Sequence, residues 1–225
     1  VIQVASFLGC ALAYVLAFVT RRLHKLPVLL LAAAVVGVVL AALGPSMEGA
    51  FRQGIAPYAW LLGPMTVALA VPLSEASTDK DRAPLTFPTV LLLGSAAIGA
   101  VTIVLVSRWL GAQSQACASL APRAATSALS VPTSEAMGGS ASLTSVVVAT
   151  SGVVVGLVGP SLLSFLGITH PTARGLALGA SGHLVATARA WEEGRATGTA
   201  STFALIVHGL FTVGASFALH LLRFF

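Results

Sequence analysis

Apolar residues run along this chain in blocks of about twenty, the length a helix needs to cross a bilayer core, and short polar breaks separate the blocks. The blocks cover 1–20, 27–43, 58–74, 85–106, 143–166, 173–194 and 200–222, and a further interrupted stretch lies at 122–136. RRLHK at 21–25 and TDKDR at 78–82 are too charged for hydrocarbon and end the blocks before them. A weakly apolar piece, 109–120, leads into the interrupted stretch. The pattern predicts an all-α, multi-pass transmembrane helical bundle: a single domain over 1–225 with about eight membrane segments, two or three of them broken or re-entrant. Arg21, Arg22 and Lys25, then Lys80 and Arg82, then Arg189 and Arg195 form three basic clusters. With eight full spans all three fall on one side, the cytoplasmic side or its equivalent.

Two of the segments are nearly copies. Residues 62–76 read LGPMTVALAVPLSEA and residues 122–136 read PRAATSALSVPTSEA. Over 66–76 against 126–136, eight of eleven positions coincide. Each copy is an apolar stretch broken by proline, followed by a hydroxyl and a carboxylate. Interrupted hydrophobic segments in corresponding positions mark binding sites in transporters, because broken backbone is tolerated at membrane depth only where protein or a cavity satisfies it. Full spans make the two copies run in the same direction. A re-entrant piece between them, at 109–120, inverts their relation.

Composition removes the soluble alternatives. Charged residues make up 8% of the chain against about 25% for a soluble domain, and hydrophobic residues make up 56%. The net charge of +5 is spread between apolar runs rather than gathered on one face, which argues against nucleic acid. Cys10 and Cys117 sit in apolar surroundings and predict no disulfide. No basic region precedes the first apolar run, so no signal peptide is expected there. No metal-ligand spacing and no glycine–lysine phosphate loop occurs, so neither cofactor nor metal is expected.

The polar residues inside the apolar segments are the candidate site. Thr126, Ser130 and Thr133 lie at i, i+4 and i+7, on one helical face, with Ser134 and Glu135 beside them and Gly138–Gly139 after them. Such hydroxyls hold an oxyanion in a transporter; they also serve as glue between helices. Thr66 is the equivalent of Thr126 in the first copy. A carboxylate in a membrane costs at least about 2.5–3.5 kcal/mol at a helix centre, so Glu135 is a proton-coupling candidate. In the third unusual segment, Gly175, Gly179, Gly182 and Ala186 form a small face for close helix approach. His183 and Thr187 lie at i, i+4, and Arg189 follows. His183 titrates near neutrality and is both a proton relay and a carboxylate ligand candidate; Arg189 offers a two-point grip. The expected substrate-binding set is therefore Thr66, Thr126, Ser130, Ser134, His183, Thr187 and Arg189, with Glu135 and His183 as proton carriers. Thr126, Ser130, His183 and Arg189 are expected to converge on one cavity. GASGH at 179–183 also contains the G-x-S-G pattern of rhomboid intramembrane proteases, with Ser181 as nucleophile and His208 as its base; this is a minor alternative, and the main reading is not an enzyme.

LGPMTVALAVPL at 62–73, APRAATSALSVPTSEAMGGSASLT at 121–144 and ARGLALGASGHLVATARAWEEG at 173–194, in that order, closely resemble the LrgB/CidB family of membrane proteins. The resemblance covers nearly the whole chain. It implies one of two activities. Plastid relatives exchange glycolate and glycerate and some bacterial relatives are tied to pyruvate uptake, which implies an integral membrane transporter of small monocarboxylates. Other bacterial members are named for an antiholin-like role in murein hydrolase activity and autolysis, which implies a regulator without transport of its own. Either way it implies an LrgA/CidA-like membrane subunit as partner, a location in the bacterial plasma membrane, or in a plastid envelope for a eukaryotic chain, and leaves a homo-oligomer open. Two departures stand out. Leu184 stands where relatives usually have glycine, and Arg123 stands where they have lysine.

Overall fold

The computed structural model describes residues 2–20, 28–44, 49, 51, 53–54, 71 and 86–225. The first copy of the repeat, with Thr66, lies outside the described residues apart from Val71, as do TDKDR and its basic cluster. The described residues are helical throughout, with no strand among them. Backbone N–H and C=O groups in hydrocarbon must pair within their own segment, which makes an apolar run of this length a helix.

The chain divides into two compact units, Val1–Ala70 and Val71–Phe225. In the first, α1 (Ile2–Thr20) packs against α2 (Val28–Leu43). Ala13 and Ala17 of α1 and Ala32 of α2 are buried.

Among its described residues the second unit has three helices long and apolar enough to cross a membrane: α3 (Thr86–Trp109), α6 (Ala141–Phe165) and α8 (Arg195–Leu221). Between α3 and α6 lie the short α4 (Ser114–Leu120), a 3-10 turn (Ala121–Ala124) and α5 (Ser127–Ala136). Between α6 and α8 lies α7 (Pro171–Glu193). Serines and threonines inside the spans donate to the carbonyl one turn back, as Ser107 does to Ile103 at 2.6 Å and Ser216 to Thr212 at 2.7 Å. That local bond removes the cost of a hydroxyl in hydrocarbon.

α3 and α8 run parallel. Near one end Leu92 clusters with Phe203 and Ala204; further along, Ala100 and Val104 cluster with Leu219. At the far end the Arg108 guanidinium donates to the Phe224 carbonyl.

α7 reverses direction part-way along its length. Straight, Arg174 and Glu193 would stand about 28 Å apart along the axis. Instead they form a two-point ion pair, Nε to Oε2 at 2.8 Å and a second guanidinium nitrogen to Oε1 at 2.9 Å. The reversal is at His183, whose backbone sits at φ 47°, ψ −137°. Gly175 and Trp191, on the two arms, both meet the same stretch of α8: a Cβ on Gly175 would overlap the Thr197 carbonyl, and one on Gly198 would overlap the Trp191 ring. The segment expected to carry one continuous small face is thus a hairpin of two half-helices, 171–182 and 184–193. Its small residues do let helices close up. Gly179 allows contact with the Ser201 carbonyl, and Gly152 and Gly156 of α6 lie against Val185.

The second copy of the repeat forms another hairpin. Ser130 of α5 faces Pro122, while Ser134 and Ser140 lie by Ser119, so α4 and α5 run antiparallel. The interruption is not at Pro132, which lies inside α5. It falls at Ala125 (φ −110°, ψ 170°) and Thr126 (φ −66°, ψ 153°), two extended residues that stop the helical ladder.

The two hairpins enter from opposite ends of the bundle. The first opens where α3 ends, the second where α8 begins. The copy at 122–136 therefore turns back rather than spanning, and the piece expected to be re-entrant, 109–120, supplies the other arm, α4.

Candidate functional site

The hairpin tips meet at half depth. His208 and Gly209 stand in the middle of α8, and a Cβ on Gly209 would sit 3.8 Å from Cα of Ala125, at the first tip. The His183 ring, at the second tip, lies by the backbone carbonyl of Arg123 and within electrostatic reach of Arg123 and His208. The His208 ring lies by the carbonyl of Ala124 and 3.4 Å from the Thr212 hydroxyl. Two histidine rings thus stand beside the carbonyls at the break, where interrupted backbone needs polar neighbours. His183 is 4% exposed, and its Nε2 has no hydrogen-bond partner.

Two half-helices begin at this point, α5 at Ser127 and the arm 184–193. Helix N-termini carry partial positive charge and unpaired N–H groups. Thr126, half-buried at the N-cap of α5, makes no side-chain cap bond. Beside the tips a cleft of about 680 Å³ is walled by Arg123 and Ala124 of the first tip, Ser181 of the second, His208 of α8, Ser95 of α3, and Thr150 and Ser151 of α6.

The other expected residues are placed as follows. Ser130 is fully buried, its hydroxyl facing the carbonyls of Pro122 at 2.7 Å and Ala125 at 2.9 Å. Thr133 donates to the Leu129 carbonyl of its own helix at 2.7 Å. Ser134 lies 2.7 Å from the Thr144 hydroxyl, deep in the base of the first hairpin. Thr187 bonds Ser201 at 2.9 Å and ties the second hairpin to α8. These hydroxyls brace the hairpins. Glu135 is exposed at the open end of the first hairpin. Arg189 is partly exposed and pairs with Glu192; of the four residues expected to share one cavity, Thr126, Ser130, His183 and Arg189, none is in the wall of this cleft. Ser181 and His208 share that wall with no hydrogen bond between them among the described contacts, so the nucleophile–base pair of a serine protease is not formed.

A family model, the LrgB-like family, matches residues 6–221. The chain belongs to the LrgB-like family. This LrgB-like protein is similar to the antiholin-like protein LrgB of Bacillus mycoides, with 30% identity over 184 residues, 82% of this chain and 80% of the relative. The proteins of the same name from Bacillus cereus and Bacillus anthracis are 29% identical over the same coverage. No solved structure matches.

Sequence reasoning assigned no binding role to Arg123 or His208 of this LrgB-like chain. Each carried a signal. A histidine in the middle of an apolar span is costly and needs a reason. An arginine after a proline, inside an interrupted segment, stands where a hairpin turns.

Proposed function

We propose that this LrgB-like protein is a multi-pass plasma-membrane transporter of small monocarboxylates, of the pyruvate, glycolate or glycerate class, working with an LrgA-like membrane subunit. The observation that carries the reading is the meeting of two opposed hairpins at half depth. There two half-helix N-termini and His183 come together beside a largely apolar cleft whose wall carries Arg123, Ser181 and His208. Transporters bind anionic groups at such half-helix N-termini near the bilayer midplane. In this reading His183 serves the passing carboxylate and its proton, Thr126 opens the α5 end of the site, and Ser130, Ser134 and Thr187 keep the tips in register.

The test is uptake of labelled pyruvate, glycolate and glycerate into proteoliposomes, with and without an LrgA-like subunit. Saturable uptake of at least one is expected. If none enters under either condition, the reading fails. A second reading is a regulator of murein hydrolase activity without transport; the antiholin-like name of the Bacillus relatives favours it. It predicts altered autolysis in a host lacking its own copy, with no carboxylate flux.

A further inference from the structure

We propose that Arg123 is the residue that grips the anion, with the hydroxyls of Thr150 and Ser181 as its supporting donors, and that the cleft selects monoanions. The nature of the anion rests on the transport reading; the site itself rests on the geometry.

Arg123 differs from the other described arginines whose partners are visible. Arg174 holds Glu193 in two bonds and reaches the carbonyls of Pro160 at 3.2 Å and Ile168 at 2.9 Å. Arg189 holds Glu192, and Arg108 holds the Phe224 carbonyl. Arg123 lines the cleft with its Nε buried and without a hydrogen-bond partner, and no described carboxylate pairs with it. A guanidinium stays charged at any ordinary pH. At membrane depth an uncompensated one costs several kcal/mol, so a compensating anion is called for.

The polar members of the wall fit the same ligand. No carboxylate lines the cleft among the described residues, and the rest of its wall is valine, alanine and glycine. Ser95 donates to Leu92 at 3.0 Å and Ser151 to Val148 at 2.9 Å, so their protons are committed. Thr150 and Ser181 make no such bond among the described residues. Ser127, where α5 begins, lies four residues beyond Arg123 and adds N-terminal amides of its own. One fixed positive charge with neutral donors balances one negative charge. A guanidinium matches a carboxylate with two parallel hydrogen bonds. A dianion would leave a second carboxylate unpaired in the cleft.

The experiment is arginine modification by phenylglyoxal in proteoliposomes of the full chain, read peptide by peptide by mass spectrometry, beside uptake. Glycolate or pyruvate is expected to protect Arg123 while Arg189 reacts unchanged, and succinate and neutral glycolamide are expected not to protect. Arg123→Gln should cut uptake about 30-fold or more, the effect of stripping one partner from a buried charge pair; Arg123→Lys should retain part of it. Absence of protection by every monocarboxylate overturns the site. So does equal protection by glycolamide, or uptake unchanged in a folded Arg123→Gln. Equal protection by succinate overturns the monoanion selectivity. Protection without uptake keeps the site and sinks the transport reading. If Arg123→Gln fails to fold, protection of the wild-type protein decides alone.

Discussion

An ion pair closes the open end of the α7 hairpin, and that pair can be broken singly while the packing of both arms on α8 remains. Glu193→Gln keeps the shape of the side chain and removes its charge. The partners are 13% and 18% exposed, between the fully exposed and the fully buried case. Exposed pairs contribute about 0–1 kcal/mol and breaking buried ones costs about 3–5 kcal/mol, so about 2 kcal/mol is expected here. For a unit of this size that corresponds to a fall of about 4–8 °C in melting temperature. Arg174→Gln should cost more, because the carbonyls of Pro160 and Ile168 and the Ser164 hydroxyl lose their donor as well. The double variant should be little worse than Arg174→Gln alone, giving a coupling of about 0.5–3 kcal/mol. The assay is thermal unfolding of the detergent-solubilised protein followed by tryptophan fluorescence. In parallel, cysteines placed at 174 and 193 should be joined by a short bifunctional maleimide, which cannot span the roughly 28 Å of a straight helix. Additive effects of the two single variants, together with no cross-link, would refute the hairpin.

Two further perturbations address the tip and the topology. The His183 backbone lies where only glycine is unstrained, so His183→Gly should melt higher than His183→Ala by about 2–4 °C, for a difference of about 1 kcal/mol; both should lose uptake, and uptake retained by His183→Gly would reduce the residue to its backbone. Cysteines introduced at Gln113 and Arg195, beside the end of α3 and at the start of α8, should be labelled by an impermeant maleimide from opposite sides of the membrane, and labelling from one side would overturn the parallel course of α3 and α8.

The long spans were legible because apolar length is a direct physical requirement of the bilayer. α3, α6 and α8 fall within a few residues of the blocks that predicted them. The interruption at 122–136 was legible as a composition, but its position was not. Pro132 marked the obvious fault, yet α5 carries it inside the helix despite the lost bond and the ring's crowding of the preceding turn, whereas two extended residues at Ala125 and Thr126 end the ladder. The reversal of α7 left less trace. Gly175, Gly179 and Gly182 read as a packing stripe, and they do pack; nothing local marks His183 as the residue that leaves the helix. What surrounds it comes from far away in sequence, the first hairpin's tip at Arg123 and the ion pair of Arg174 with Glu193. Arg189 illustrates the same limit, since its spacing from His183 placed it near the site and Glu192, one turn on, is its actual partner.

The second hairpin also imposes an order on how the protein is made. Its sequence holds four charged residues, Arg174, Arg189, Glu192 and Glu193, and a histidine at its tip. Such a segment partitions poorly into lipid by itself, where each charge carried to the helix centre costs about 2.5–3.5 kcal/mol. It leaves the ribosome after α6 but before α8, the helix against which both its arms pack. The expected course is that it settles fully only once α8 has been threaded through, a docking step that follows the insertion of its neighbours, and the membrane face that the insertion machinery works from would decide which mouth of the bundle this hairpin enters.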